Sequence, residues 1–224
     1  MGDINQLLFI QEHASHFTGP FLEVGSKDYG STQDLRTLFA DRGKYVGLDM
    51  EDGPGVDVVL DLTAEFDRID EQLGHVRFGT IFCLSVLEHC SQPFKFAENT
   101  TKLLKTQGQL CISVPFAWQY HGYPSDYWRF TQDGVRILFP DLKFDFAEGV
   151  SATSRMKEFK KLNQDVGKIP FSFNKHRKEG HPFRGIEAKL LKLLSKIGIL
   201  TWLSGYRYVM APTSIFLIGT RQDS

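Results

Sequence analysis

Short apolar runs alternate with amphipathic stretches along this chain of 224 residues, and the hydrophobic period switches between the two. Seven runs have the length and composition of strands: FLEV (21–24), YVGLD (45–49), VDVVL (56–60), GTIFCLS (79–85), QLCISV (109–114), LKFDFA (142–147) and SIFLIGT (214–220). Strands alternating with helical stretches predict a parallel sheet with crossover helices, an α/β architecture. A first helix is predicted over 3–17, where Ile4, Leu7, Leu8 and Phe17 recur at roughly helical spacing. In STQDLRTLFADRG, Leu35, Leu38 and Phe39 share one face, Ser31 and Asp34 form a capping-box-like pair, and Gly43 terminates the helix. Another helix is predicted over 93–106, opening at Pro93 and stopping before Gly108. Residues 151–182 have no clear period and read as a loop-rich insertion. A last helix is predicted over 186–203, with Ile186, Leu190, Leu193, Leu194, Ile197 and Leu200 on one face and Lys189, Lys192 and Lys196 elsewhere.

Composition narrows the setting. A content of 42% hydrophobic and 24% charged residues suits one globular domain. The N-terminal MGDINQLLFIQEHASHF lacks a basic region followed by an apolar one, and no apolar run reaches the roughly 18 residues a membrane helix needs. A soluble cytoplasmic protein is expected. Cys83, Cys90 and Cys111 are odd in number and show no paired short spacing, so reduced thiols are expected, with neither disulfides nor a metal site.

The net charge of −1 hides an asymmetry. Residues 1–150 carry 12 Lys and Arg against 22 Asp and Glu, whereas residues 151–210 carry 13 against 4. The acidic body is a poor match to a polyanion, which counts against a nucleic-acid partner; the basic segment reads as a solvated insertion. Its amphipathic helix is expected to pack on the body or on a twin subunit, giving a monomer or homodimer. An anionic membrane surface is the sharper, less favoured alternative, with Trp202 near the helix end.

In open α/β sheets the ligand sits beyond the carboxyl ends of the strands, so informative residues should follow each run. Glu23-Val24-Gly25 ends the first, Asp49 the second, Asp61-Leu62 follows the third, and Ser85-Val86-Leu87-Glu88-His89 follows the fourth. Gly25 lets backbone approach a ligand with no Cβ in the way. Asp49, 24 residues on, stands where an acid meets ribose hydroxyls. The loop G-S-K-D-Y-G lacks the second glycine that a pyrophosphate requires, so a nicotinamide dinucleotide is disfavoured, and no phosphate-binding G-x-x-x-x-G-K-[ST] motif occurs. S-adenosylmethionine carries no phosphate; its amino-acid end needs an acceptor for an ammonium and a donor for a carboxylate, which Glu23 and the loop at Ser26 and Lys27 can supply.

The ordered set E-V-G-S-x-D-x-G (23–30), Y-V-G-L-D (45–49), G-P-G-V-D-V-V-L-D-L (53–62), F-C-L-S-V-L-E-H (82–89) and L-L-K-T-Q-G-Q-L (103–110) resembles the class I S-adenosylmethionine-dependent methyltransferases, of the methyltransferase 11 type. The resemblance spans 20–148 and the final strand. It implies a Rossmann-like seven-stranded, mostly parallel sheet with helices on both faces and an antiparallel last strand, preceded here by a basic, partly helical insertion (151–207) within one domain over 1–224. It implies S-adenosylmethionine as cofactor, held by Glu23, Gly25, Asp49 with Met50, Asp61 with Leu62, and Ser85 with Val86. Lys27 departs from the commonest form of the glycine loop.

FAWQYHGYPSDYWRFT (116–131) follows the fifth run and packs His121, Tyr123, Asp126, Tyr127, Trp128 and Arg129 into nine positions. Similar segments in some of these enzymes accompany sugars or other small polar acceptors, which implies substrate contacts from His121, Tyr123, Asp126, Tyr127 and Arg129. Asp126 and Arg129 also read as an internal ion pair. A hydroxyl acceptor loses a proton on methylation, so a base is sought; His121, His89 and Tyr123 are the catalytic candidates, with His121 preferred. The rivals are a nucleic-acid methyltransferase, disfavoured because S-V-L-E-H stands where N/D-P-P-Y/F is expected, and a non-catalytic cofactor-binding assembly protein.

Overall fold

The computed structural model describes residues 3–30, 34–122, 125–145, 149–153, 156–162, 172–178, 180–199 and 212–223. Helix α1 (Ile4–His13) starts at a reciprocal capping box, in which the Asp3 side chain accepts from the Asn5 and Gln6 backbone and the Gln6 side chain accepts from the Asp3 N–H; a 3-10 turn follows at Ala14–His16. Strand β1 (Phe21–Val24), the single-turn α2 (Leu35–Leu38), β2 (Tyr45–Asp49), β3 (Val58–Val59), α3 (Phe66–Gln72), β4 (Phe78–Leu84), α4 (Pro93–Leu103) and β5 (Leu104–Pro115) complete the parallel half. Then come α5 (Gln132–Leu138), β6 (Leu142–Phe144), β7 (Val150–Ala152), β8 (Lys160–Lys161), α6 (Phe173–Lys178), α7 (Pro182–Lys196) and β9 (Ser214–Arg221).

Among the described residues the sheet has nine strands in the order β3-β2-β1-β4-β5-β9-β7-β8, with β6 also paired to β9. The pairs from β3 to β5 are parallel; β9 runs antiparallel to β5, β6 and β7. Every residue of β1 and β4 is buried. Continuous apolar runs with no polar alternation are what a parallel sheet covered on both faces requires. One face is filled by phenylalanines: Phe9 and Phe17 from the N-terminal segment, Phe39 after α2, and Phe21, Phe82 and Phe216 from the sheet. Phe21 and Phe39 meet tilted with centroids 4.7 Å apart, and Phe17 meets Phe82 edge-on at 5.3 Å. Each fully buried ring contributes on the order of 2–3 kcal/mol.

Strand order reverses between β1, which leads to β2, and β4, which leads to β5. That reversal opens a crevice at the carboxyl ends of β1 and β4, the place where open α/β sheets bind ligands.

Several expectations need correction. Seven strands are predicted and the described residues form nine, because β7 and β8 arise within 150–161, most of which the sequence pattern assigns to the insertion. The run 56–60 pairs only at Val58–Val59, and 142–147 only at Leu142–Phe144. Helix α4 ends at Leu103 and runs directly into β5, so Gly108 is no helix terminator. It sits beside Gln107 (φ +60°) where the β4–β5 register shifts, and a Cβ there would lie 2.8 Å from the Lys105 carbonyl oxygen. The helix after β1 is one turn capped by Asp34, which accepts from the Thr37 N–H; Ser31 lies outside the described residues. Helix α7 starts at Pro182, four residues before the predicted start, and its predicted end from 200 onward also falls outside them.

The chain forms two compact units, Met1–Asn163 with Thr213–Ser224, and Gln164–Pro212. In the second, α7 packs on α6 through Gly185, where a Cβ would lie 2.8 Å from the Phe173 ring. No helix among the described residues is long and apolar enough to cross a membrane.

Candidate functional site

At the end of β1, Glu23 is 9% exposed and accepts a 2.8 Å hydrogen bond from the Tyr45 hydroxyl of β2. Burial raises its carboxyl above the ordinary glutamate range, more than the tyrosine bond lowers it. Gly25 follows in the left-handed region (φ +75°), and a Cβ there would meet Val86 Cγ2 at 2.5 Å. The β1 and β4 loops therefore touch across the crevice. The Gly25 and Ser26 N–H groups both donate to the Leu48 carbonyl, fixing the loop to β2. Ser26 is 8% exposed, and its hydroxyl has no partner.

Asp49 ends β2 and accepts from the Lys27 N–H and the Glu51 N–H, both at 3.1 Å. Lys27 donates its ammonium to Glu51 at 2.7 Å. This pair ties the loop after β1 to the loop after β2. Met50 is exposed beside Asp49. Asp61 closes a turn by accepting from the Thr63 N–H and hydroxyl, both at 2.8 Å, while the carbonyl of buried Leu62 accepts from Asn99 of α4 at 2.8 Å. Ser85 holds a left-handed conformation (φ 56°) and accepts from Gln6 of α1 at 2.7 Å.

The second group lies on the β4–α4 and β5–α5 connections, which are bonded to each other. The Tyr127 N–H donates to the Glu88 carbonyl at 2.9 Å, and the Trp128 indole N–H donates to the Cys90 carbonyl at 2.8 Å. His89 and His121 rings face each other edge-on, centroids 5.0 Å apart. Asp126, its side chain 1% exposed, binds the Arg129 guanidinium through both oxygens (2.5 and 2.7 Å) and accepts from the His121 N–H at 2.9 Å. Arg129 holds its carboxyl well below the usual aspartate range. Arg129 also donates to the Trp118, Gln119 and Trp128 carbonyls. Asp126 and Arg129 form an internal ion pair that holds the loop. Tyr127, Trp128, Trp118 and Tyr120 remain exposed around His121. Tyr123 lies outside the described residues.

Three side chains at the site are absent from the sequence-based set. Glu88 is 1% exposed, and burial pushes its carboxyl up to about 7. Gln6 and Asn5 are buried polar residues on α1; Gln6 reaches Ser85 and Ser113, and Asn5 donates to the Thr153 carbonyl at 3.1 Å. Two adjacent amides on an otherwise apolar helix face are the one sequence signal that marks them.

The sheet order, the crevice and the acids at successive strand ends define the fold of the class I methyltransferases. No protein-family model matches the sequence, and no curated protein does. Solved structures match it in fold. An S-adenosylmethionine-dependent methyltransferase from Archaeoglobus fulgidus aligns with a TM-score of 0.54 over 97% of this chain and 94% of its own, at 14% identity. The N-methyltransferase NodS from Bradyrhizobium japonicum WM9, in complex with S-adenosyl-L-homocysteine, aligns at 0.51 over 98% and 86%, at 10% identity. The [4+2]-cyclase SpnF aligns at 0.53 over 98% and 81%, at 13% identity. Likeness at these identities establishes the fold, and the cyclase shows that this fold also hosts other chemistry.

Proposed function

We propose that the protein transfers a methyl group from S-adenosylmethionine to a small polar acceptor, a sugar or sugar conjugate, at oxygen or nitrogen. The observation that carries this reading is the convergence of Glu23, Asp49 and the Gly25–Val86 contact at the one point where strand order reverses. The residues fit the cofactor. Glu23 is a buried acid suited to an ammonium, the partnerless Ser26 hydroxyl offers a donor, and Asp49 with Met50 edges the nucleoside side. When bound, the cofactor supplies an electrophilic methyl on a sulfonium.

The acceptor lies against the second group. Trp118, Tyr120 and Tyr127, exposed on the connection that carries His121, offer flat apolar faces with polar edges. His121 turns Nδ1 toward Asp126 at 3.2 Å, which leaves Nε2 open to take the proton of an acceptor hydroxyl. His89 borders the same space. The free thiols at Cys83, Cys90 and Cys111 fit a cytoplasmic setting.

Calorimetry with S-adenosylhomocysteine tests the cofactor, and a panel of sugars, nucleotide sugars and amines tests the acceptor. His121→Ala is expected to bind cofactor normally and lose roughly 10²–10⁴-fold in turnover. Full turnover in that variant would remove His121 from the mechanism. Absence of cofactor binding in the parent protein would overturn the whole reading.

A further inference from the structure

Glu88, His89 and His121 each bring one potential metal-ligand atom within 4.8 Å of the other two. The two imidazoles are oriented in the same sense. His89 Nδ1 lies 2.5 Å from the Ser125 carbonyl oxygen, which can only accept, so Nδ1 carries the proton and Nε2 presents a lone pair. His121 Nδ1 lies 3.2 Å from Asp126 Oδ2 and 3.3 Å from the Gln119 carbonyl oxygen, with the same consequence. A carbonyl or carboxylate behind Nδ1 is the support that metal-bound imidazoles receive.

The third group supplies an independent observation. Glu88 has a side chain only 1% exposed, and its Oε2 atom is buried without a hydrogen-bond partner. Buried carboxylate oxygens are ordinarily paired, because the loss of water is otherwise uncompensated. Here the nearest basic atom is His89 Nε2, 3.9 Å from Glu88 Oε1.

We propose that Glu88, His89 and His121 form a binding site for a divalent first-row transition cation of the zinc class. Two imidazoles and one carboxylate are a donor set that catalytic zinc uses with its fourth position open. Magnesium and calcium prefer all-oxygen sites and are poor matches. Ligand atoms about a tetrahedral zinc lie roughly 3.4 Å apart, so the cluster closes on an ion by side-chain movements of about 1 Å. His121 and His89, with side chains 25% and 19% exposed, form the open side, and Glu88 the buried floor. Sequence spacing gave no sign of this site, because its histidines are 32 residues apart and no cysteine takes part.

The site stands on the cluster alone and does not rest on the methyltransferase reading. It does bear on the proton. With an ion bound, His121 Nε2 is a ligand and cannot take the acceptor's proton; coordination of an acceptor hydroxyl at the open position lowers its pKa instead. Direct base catalysis by His121 therefore belongs to the ion-free protein.

The test uses the full chain, stripped with a chelator and dialysed, then titrated with Co2+ and with Zn2+ in competition. The expected result is one ion per chain, a visible Co2+ absorption band, and no competition from Mg2+. Glu88→Gln and His121→Ala each abolish the band, and Asp126→Asn weakens affinity roughly 10–100-fold by loosening the His121 ring. Thermal melting and S-adenosylhomocysteine binding on the same samples report folding; if His121→Ala does not fold, His89→Gln replaces it. No Co2+ band in the parent protein, or binding unchanged in Glu88→Gln and His121→Ala, overturns the proposal. Metal binding without cofactor binding leaves the site standing and removes the methyltransferase reading.

Discussion

Gly25 shows how narrow the tolerance is at the crevice. A valine there must adopt a left-handed backbone, at a cost of about 1–3 kcal/mol, and its Cβ would overlap the Val86 methyl. Gly25→Val is expected to lose cofactor affinity by roughly tenfold or more, read by calorimetry, with a lowered melting temperature. Lys27→Ala behaves differently, because the lysine side chain holds Glu51 in a solvent-facing pair. Such pairs are worth at most about 1 kcal/mol, so affinity should stay within about fivefold. Glu23 supplies a pH signature. Its folded-state pKa is raised by burial, so its contribution to apo stability is full below the unfolded-state value and is lost as pH rises through the raised one. A cationic ligand group at Glu23 favours the ionised form. Affinity for S-adenosylhomocysteine is therefore expected to climb with pH from the ordinary glutamate range up through the raised value, and to be weak and flat in Glu23→Gln.

At the scale of elements, α1 ties the N-terminal segment to the carboxyl ends of β4 and β5. Gln6 donates to the hydroxyls of Ser85 (2.7 Å) and Ser113 (3.3 Å), and Ser113 is fully buried. Gln6→Ala strips a partner from both hydroxyls, with an expected cost of about 1–3 kcal/mol. For a chain of this size that lowers the melting temperature by about 2–4 °C per kcal/mol, measurable by calorimetry. The boundaries of β1 and β2 were legible in the sequence because buried parallel strands are short, mostly apolar runs, here each with its acid at or next to the carboxyl end. Strands β7 and β8 were not, since VSA and KK are only three and two residues long, and β7 forms by pairing with the distant β9 while β8 pairs with β7 alone. Glu23 and Asp49 could be picked out as candidates because each stands at the carboxyl end of its own strand. The Glu88, His89 and His121 cluster could not, because it exists only once Tyr127 and Trp128 bond to the β4–α4 connection.

For the whole molecule, the division into two units puts the sheet in one unit and residues 164–210 of the basic segment in the other. Every strand of the sheet, and every candidate site residue named above that the structure describes, lies within Met1–Asn163 and Thr213–Ser224. Within the sheet unit the Leu162 N–H donates to the Gly149 carbonyl, and the Thr213 N–H donates to the Ala152 carbonyl. These anchors sit on either side of β7, so a flexible linker of about eight residues, spanning roughly 15 Å, can join 163 to 213. Replacing 164–212 with such a linker is expected to leave a cooperatively melting protein with unchanged S-adenosylhomocysteine affinity. Failure to fold would mean that the sheet depends on the basic unit for its stability. Turnover gives the second readout. An acceptor held by the loop of His121 keeps its kcat/KM in the shortened protein, whereas an acceptor reached through the basic unit loses it while cofactor binding persists. The positive charge of residues 151–210 gives that second outcome its own check, a kcat/KM of the full chain that falls as salt is added.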